Sequence, residues 1–207
     1  MDIQEIVKRC QLGEKEAFRE LLQTVEKEAL ATAYFLSGNR GIAEDILQET
    51  YMKCFVEINK LQEPQAFKVW FFKILMRTGW KMTQKQSVVI PMEITSENEA
   101  LFCDENQGRG NVIDNYEIKN VMENAVNNLS QNLKMVVILY YYNDMSIEEI
   151  SKITGCFKAT VKSRLFYARA ALKKQLGSCF EEENGISIIK IINKRFKVVG
   201  NVFFIVQ

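Results

Sequence analysis

The sequence predicts an all-α protein of two small helical domains, an N-terminal helical bundle and a C-terminal helix-turn-helix domain, joined by a flexible linker. Three observations predict it. Apolar residues recur at helical spacing over 1–86 and again over 114–177. Proline, which breaks helices, occurs only twice in 207 residues. Between the two periodic stretches, residues 87–113 lose periodicity and turn to Ser, Asn, Glu and Gly around Pro91, with one basic residue against five acids.

Element by element, Ile3, Ile6, Val7 and Cys10 open one apolar stripe. Phe18, Leu21, Leu22 and Val25 make another, which continues through Ala33. Ser37-Gly38-Asn39 is a turn, and Asn39 can cap a helix from about Arg40 to Asn59 that buries Ile42, Ile46, Phe55 and Ile58. Pro64 fits the first turn of a further long helix, where its missing amide costs nothing, and that helix buries Phe67, Phe71, Ile74 and Leu75. The first domain therefore reads as a bundle of about four helices.

In the second domain, Ile118, Val121, Met122, Ala125, Val126 and Leu129 line one face of a helix beginning near Asp114, and another helix runs roughly from Gln131 to Tyr142. The most informative stretch follows. Ser146 and Glu149 sit three apart and form a capping box, flanked by Met145 and Ile150 as a hydrophobic staple. Ile147, Ile150 and Ile153 share a face until Thr154-Gly155-Cys156 breaks it, with Gly155 free to take a positive φ. The next segment buries Val161, Leu165, Ala168 and Leu172, while Lys158, Lys162, Arg164, Arg169, Lys173 and Lys174 occupy its other faces with no acid among them. A short helix crossing a basic one is the arrangement that enters the DNA major groove. A helical hairpin with a solvated basic face is the plainer alternative.

The tail, 178–207, departs from all of this. Its β-branched residues are interrupted by Lys190, Lys194, Arg195 and Lys197, so no apolar run reaches the roughly 20 residues of a membrane span. It reads as a β-hairpin, a strand added to a partner's sheet, or an adventitious extension. The overall net charge of +1 conceals an acidic linker beside a second domain with nine basic residues against six acids. Cys10, Cys54, Cys103, Cys156 and Cys179 are scattered, with no Cys-x-x-Cys and no secretory signal, which implies reduced cytosolic thiols. The absence of histidine removes most zinc sites and the commonest general base. With no Gly-rich phosphate loop and no nucleophile elbow, the expectation is a cytoplasmic protein that is not an enzyme, with no catalytic residue, metal or cofactor.

Two faces of the first domain stand out. Asp45, Gln48, Glu49 and Met52 lie at i, i+3, i+4 and i+7 and share a mildly acidic surface, suited to a basic partner helix or merely solvated. Lys73, Arg77, Lys81 and Lys85 are spaced by four beside Trp70 and Trp80, and no acid occurs from Lys68 to Lys85. Cations that track phosphates beside rings that stack on bases suit single-stranded DNA; a basic amphipathic helix with core tryptophans is the rival reading.

Ala43–Phe55 (AEDILQETYMKCF), Trp70–Lys81 (WFFKILMRTGWK) and Gly155–Leu172 (GCFKATVKSRLFYARAAL) occur in that order. Together they resemble a bacterial RNA polymerase sigma factor of the extracytoplasmic-function (ECF) type, over about residues 5–177. The resemblance implies four segments: 1–86, a region binding the polymerase core and the promoter −10 element; 87–113, the linker; 114–177, a region binding the −35 element; and 178–207, a tail of open role. It implies that Asp45, Gln48, Glu49 and their helix, which carries Met52, dock on the β′ subunit. The loop Asn59–Gln65, with Asn59 and Lys60, matches the segment that captures a flipped base. Trp70, Lys73, Arg77, Trp80, Lys81 and Lys85 match the melting face. Lys158, Thr160, Lys162, Ser163, Arg164 and Arg169 match the recognition helix that reads the −35 element. The implied partners are core polymerase through β′ and β, promoter DNA, and an anti-sigma factor.

The sequence also departs from that pattern. Phe157 stands where the family usually has a Ser cap, whose loss typically costs about 1 kcal/mol. Phe166 and Tyr167 replace a basic pair, and Thr78 with Met82-Thr83 stand where Asn and Arg are usual. These departures imply weaker DNA contact or an unusual sequence preference. Two rival functions follow from the residues: a free-standing dimeric helix-turn-helix regulator, and a sigma-like interaction module without productive DNA binding.

Overall fold

The computed structural model describes residues 2–86 and 124–176, with backbone alone for Lys85 and Gln86. The expected linker 87–113, the start of the helix near Asp114, Cys103, Cys179 and the tail 178–207 lie outside the described residues. Among the described residues every regular element is helical, as predicted.

Five α-helices form the first half: α1 (Ile3–Gln11), α2 (Lys15–Gln23), α3 (Glu26–Ser37), α4 (Arg40–Glu57) and α5 (Phe67–Gln86). Their ends follow local chemistry. The Gln4 amide donates to the Asp2 carboxylate at 3.0 Å to start α1. Gly38, at φ 68°, closes α3, and the Asn39 side chain then accepts from the Ile42 amide at 3.1 Å to open α4. Helix α4 is two residues shorter than expected, because Ile58–Lys60 tighten into a 3₁₀ turn. Pro64 opens a second 3₁₀ turn, Pro64–Ala66, one turn ahead of α5 instead of inside it. Gln11 Nε2 donates to the carbonyls of Ile58 (3.1 Å) and Leu61 (2.8 Å), tying α1 to this connection.

The inward stripe of α4 is Ala43, Ile46, Leu47, Thr50 and Cys54. Phe55, expected in the core, is instead 54 % exposed and meets Phe18 edge-to-face at 5.2 Å. Cys54, one residue earlier, holds the inward phase, and the step of about 100° per residue turns Phe55 to the rim. Gly79 lets α5 approach its neighbours closely. A Cβ there would lie 2.8 Å from Leu36 Cδ1 and 3.6 Å from Ile46 Cγ2.

The second half comprises a helical turn at 124–127, then α6 (Gln131–Val137), a π turn (Ile138–Tyr142), α7 (Ile147–Thr154) and α8 (Lys158–Leu176). The Asn143 amide reaches back five residues to the Ile138 carbonyl at 3.1 Å. Asp144 then reverses the chain at φ 52°, a conformation Asp tolerates better than most residues.

The two halves share one apolar core. Helix α5 packs against α7, and α3 packs against the π turn. At that junction the Asn143 side-chain amide donates to the Thr32 hydroxyl at 3.0 Å, with both residues buried. Phe35 and Tyr142 meet edge-to-face at 5.3 Å beside it. Nothing in the sequence indicated this contact.

Candidate nucleic-acid interface

The helix-turn-helix is built as its sequence predicts. Ser146 Oγ accepts from the Glu149 amide at 3.2 Å, while Glu149 Oε2 accepts from the Ser146 amide at 2.8 Å. Met145, Ile150 and Ile153 are buried beneath α7, and Gly155 ends it at φ 68°. Ser151 Oγ donates to the Cys156 carbonyl at 2.6 Å, which fixes the turn. Phe157 supplies the carbonyl that accepts the Val161 amide at 3.1 Å, but its ring cannot cap an amide and is 85 % exposed.

Burial of Val161, Leu165, Ala168 and Leu172 sets the orientation of α8. Lys162 and Ser163 then face solvent, with Thr160 half-buried. The other predicted cations are not equivalent to them. Lys158 Nζ donates to Glu148 Oε2 at 2.8 Å, and this bond, with the Lys158 and Lys152 charges, holds the Glu148 carboxyl below its ordinary pKa. Arg164 turns back and donates to the Cys156 sulfur at 3.2 Å. Arg169 faces the Tyr141 phenol, whose pKa burial raises and Arg169 opposes. Arg164 and Arg169 therefore brace the domain more than they face outward. Phe166 and Tyr167, absent from the predicted site, share the outer strip with Ser163. The helical phase of Val161 and Leu165 alone would have shown this.

On α5, the inward face is Phe67, Phe71, Leu75 and Thr78, supplemented by Phe72 and Met76. Trp70, Lys73, Arg77, Trp80 and Lys81 fall within one sector on another side of the helix. Arg77 and Lys81 are exposed, and Trp70, Lys73 and Trp80 are half-buried. Trp70 leans on Phe67, with ring centroids 6.3 Å apart, so it is partly a core residue. The Lys85 side chain lies outside the described residues. Lys68, on the far side of Trp70, is spent on Glu28 at 2.6 Å. Asn59 and Lys60 are exposed in the loop before α5, and Lys60 lies 3.6 Å from Glu57.

On α4, Asp45, Gln48 and Met52 are exposed and Glu49 is half-buried, so the four share one outer strip. Glu49 is held by Lys53 at 3.1 Å, and Lys53 also donates to Thr78 Oγ1 at 3.0 Å. The strip changes character along its length. Met52, Phe55 and Val56 are 66 %, 54 % and 76 % exposed, an apolar end that the sequence reading missed at Phe55 and Val56.

Buried Cys54 has its thiol pushed up to about 12, chiefly by desolvation, and is no nucleophile near neutral pH. Among the described residues no helix is long and apolar enough to cross a membrane.

Comparison with known proteins agrees with this geometry. The family model for sigma-70, region 4, matches residues 119–172. The RNA polymerase sigma factor SigV of Bacillus subtilis is 32 % identical over 144 residues, covering 70 % of this chain and 81 % of that protein. The ECF RNA polymerase sigma-E factor of Haemophilus influenzae is 26 % identical over 185 residues, covering 84 % and 94 %. Among solved structures, the sigma factor RpoE in complex with the anti-sigma factor NepR from Bartonella quintana matches with a TM-score of 0.61 at 25 % identity, over 77 % of this chain and 96 % of that one.

Proposed function

The chain belongs to the ECF type of bacterial RNA polymerase sigma factors, and from that premise we propose how its surfaces divide the work of initiation. It binds the polymerase core and directs promoter recognition, DNA melting and transcription initiation. Members of this family are non-enzymatic, and this chain acts by binding alone, in the cytoplasm. The α4 strip from Asp45 to Met52, extended by Phe55 and Val56, docks on the β′ subunit. Residues 114–177 contact the β subunit and the −35 element. An anti-sigma factor of the kind named for the Bartonella relative is a further partner.

One observation carries the division of DNA contacts. Two separate helices present cations toward solvent: α5 beside half-buried tryptophans, and α8 flanking a neutral outer strip. The first suits unpaired bases and the second a duplex groove. Opening is driven by binding, since unpairing a base costs a few kcal/mol that pocket contacts and stacking offset. A free-standing dimeric regulator would leave α4 and the face of α5 without a role. Transcription in vitro with purified core polymerase on genomic fragments tests the whole reading. Initiation at mapped start sites supports it, whereas core binding without transcripts would favour the interaction module.

The two DNA faces should fail differently. Lys162→Ala is expected to weaken duplex binding a few-fold and to reduce the salt slope by about one unit, as for a lost phosphate contact. Trp80→Ala and Lys81→Ala are expected to slow open-complex formation, with partial rescue on a pre-melted template. Normal permanganate reactivity in the Trp80 variant would return that residue to the core.

A further inference from the structure

Phe166 and Tyr167 are each 63 % exposed, on a helix that buries its other large apolar side chains. Their rings meet edge-to-face, with centroids 5.6 Å apart at 77°, so each restricts the other's rotamers. They project from the strip opposite Val161 and Leu165, which is the strip a major groove would receive. Exposed Lys162, Lys173 and Lys174 lie along the same helix, and no acid occurs from Phe157 to Gly177. A neutral centre with cationic flanks complements a groove floor between phosphate rims, and fits no acidic or purely apolar protein surface as well.

Hydrogen-bonding readers are scarce on this strip. Arg164 and Arg169 are turned toward Cys156 and Tyr141. The Ser163 hydroxyl donates to the Ala159 carbonyl at 3.1 Å. The bidentate Arg, Asn and Gln pairings that distinguish guanine and adenine are therefore missing from its centre. Apolar contact remains, and the major groove offers one apolar mark, the thymine C5-methyl group. We propose that Phe166 and Tyr167 select the −35 duplex by packing against thymine methyl groups, over a span of about three base pairs given the helical rise from Ser163 to Ala170. This inference rests on the sigma-factor reading above and adds a specificity that the family assignment does not supply.

The test uses holoenzyme assembled from core polymerase and the full chain. An upstream duplex is first selected from a randomised pool. Binding is then compared between that duplex and a copy with deoxyuridine in place of thymidine at the contacted base pairs, which removes only methyl groups. Wild-type holoenzyme should lose about four-fold for each methyl it covers. Phe166→Ala with Tyr167→Ala should bind both duplexes equally, and Phe166→Leu should regain part of the difference. Both side chains are exposed, so folding is retained, which circular dichroism would verify.

A wild-type protein indifferent to uracil overturns the proposal, and so does a double variant as sensitive as wild type. If the double variant instead loses core-polymerase affinity, the pair is a protein contact and the proposal falls. Failure of the unaltered chain to bind core polymerase would be a different result. It would overturn the sigma-factor reading itself, and this inference with it.

Discussion

Reversing Asp45 and Glu49 to Lys is expected to weaken core-polymerase binding about tenfold at low salt, or about 1.4 kcal/mol. Both carboxylates lie on the outer strip of α4, Asp45 exposed and Glu49 half-buried. Charges of this kind steer association and are screened by salt, so the defect should shrink as ionic strength rises. Phe55→Ala should behave otherwise. Its ring belongs with Met52 and Val56 to the exposed apolar end, and covering an aromatic residue at an interface centre commonly contributes about 2 kcal/mol or more, on the order of thirty-fold in affinity. That defect should persist at high salt.

Folding should survive the charge reversals. Glu49→Lys removes the 3.1 Å pair with Lys53 and opposes two cations at i, i+4, which costs only about 0.5 kcal/mol. Phe55→Ala also gives up the edge contact with Phe18 and needs a thermal-unfolding control. Titration of labelled protein against core polymerase at two salt concentrations reads both effects. If the charge-reversed protein binds as wild type at low salt, α4 is not the docking helix.

The contrast between Asp45 and Phe55 shows what was legible in the sequence. Spacing at i, i+3, i+4 and i+7 placed the acidic strip correctly, because charges on one helical face stay outside whatever the helix packs against. Phe55 was assigned by its hydrophobicity, whereas Cys54, one residue earlier and fully buried, holds the inward phase. The capping box at Ser146, the Asn39 cap and Gly155 were readable because each depends on residues within three positions. Arg164 and Arg169 were grouped with Lys162 by charge and by their match to the family's recognition helix. Helical phase sets both arginines at the margins of the buried stripe, where one finds Cys156 and the other Tyr141. The contact between the halves was illegible for a different reason. Thr32 and Asn143 are 111 residues apart, and neither carries a local pattern that names the other.

That contact supports a second strong prediction. Thr32 Oγ1 donates to the Glu28 carbonyl at 2.7 Å and accepts from Asn143 Nδ2 at 3.0 Å. Thr32→Val removes the acceptor and leaves the Asn143 amide, only 3 % exposed, without this partner. An orphaned buried polar group costs about 1–3 kcal/mol, so the unfolding midpoint should fall clearly. Thr32→Val combined with Asn143→Leu removes both polar partners and should cost less than the sum of the two single changes, with a coupling of about 0.5–3 kcal/mol. Trp70 and Trp80, the only tryptophans, are both on α5 in the first half. Their fluorescence therefore reports whether a change at Asn143, in the second half, is felt across the junction. Because α5 packs against α7 and the core is continuous, Asn143→Leu should shift the tryptophan-detected transition together with that of the whole protein. A tryptophan midpoint unmoved by Asn143→Leu, while circular dichroism records a loss elsewhere, would mean that the halves unfold separately and that the Thr32–Asn143 pair does not couple them.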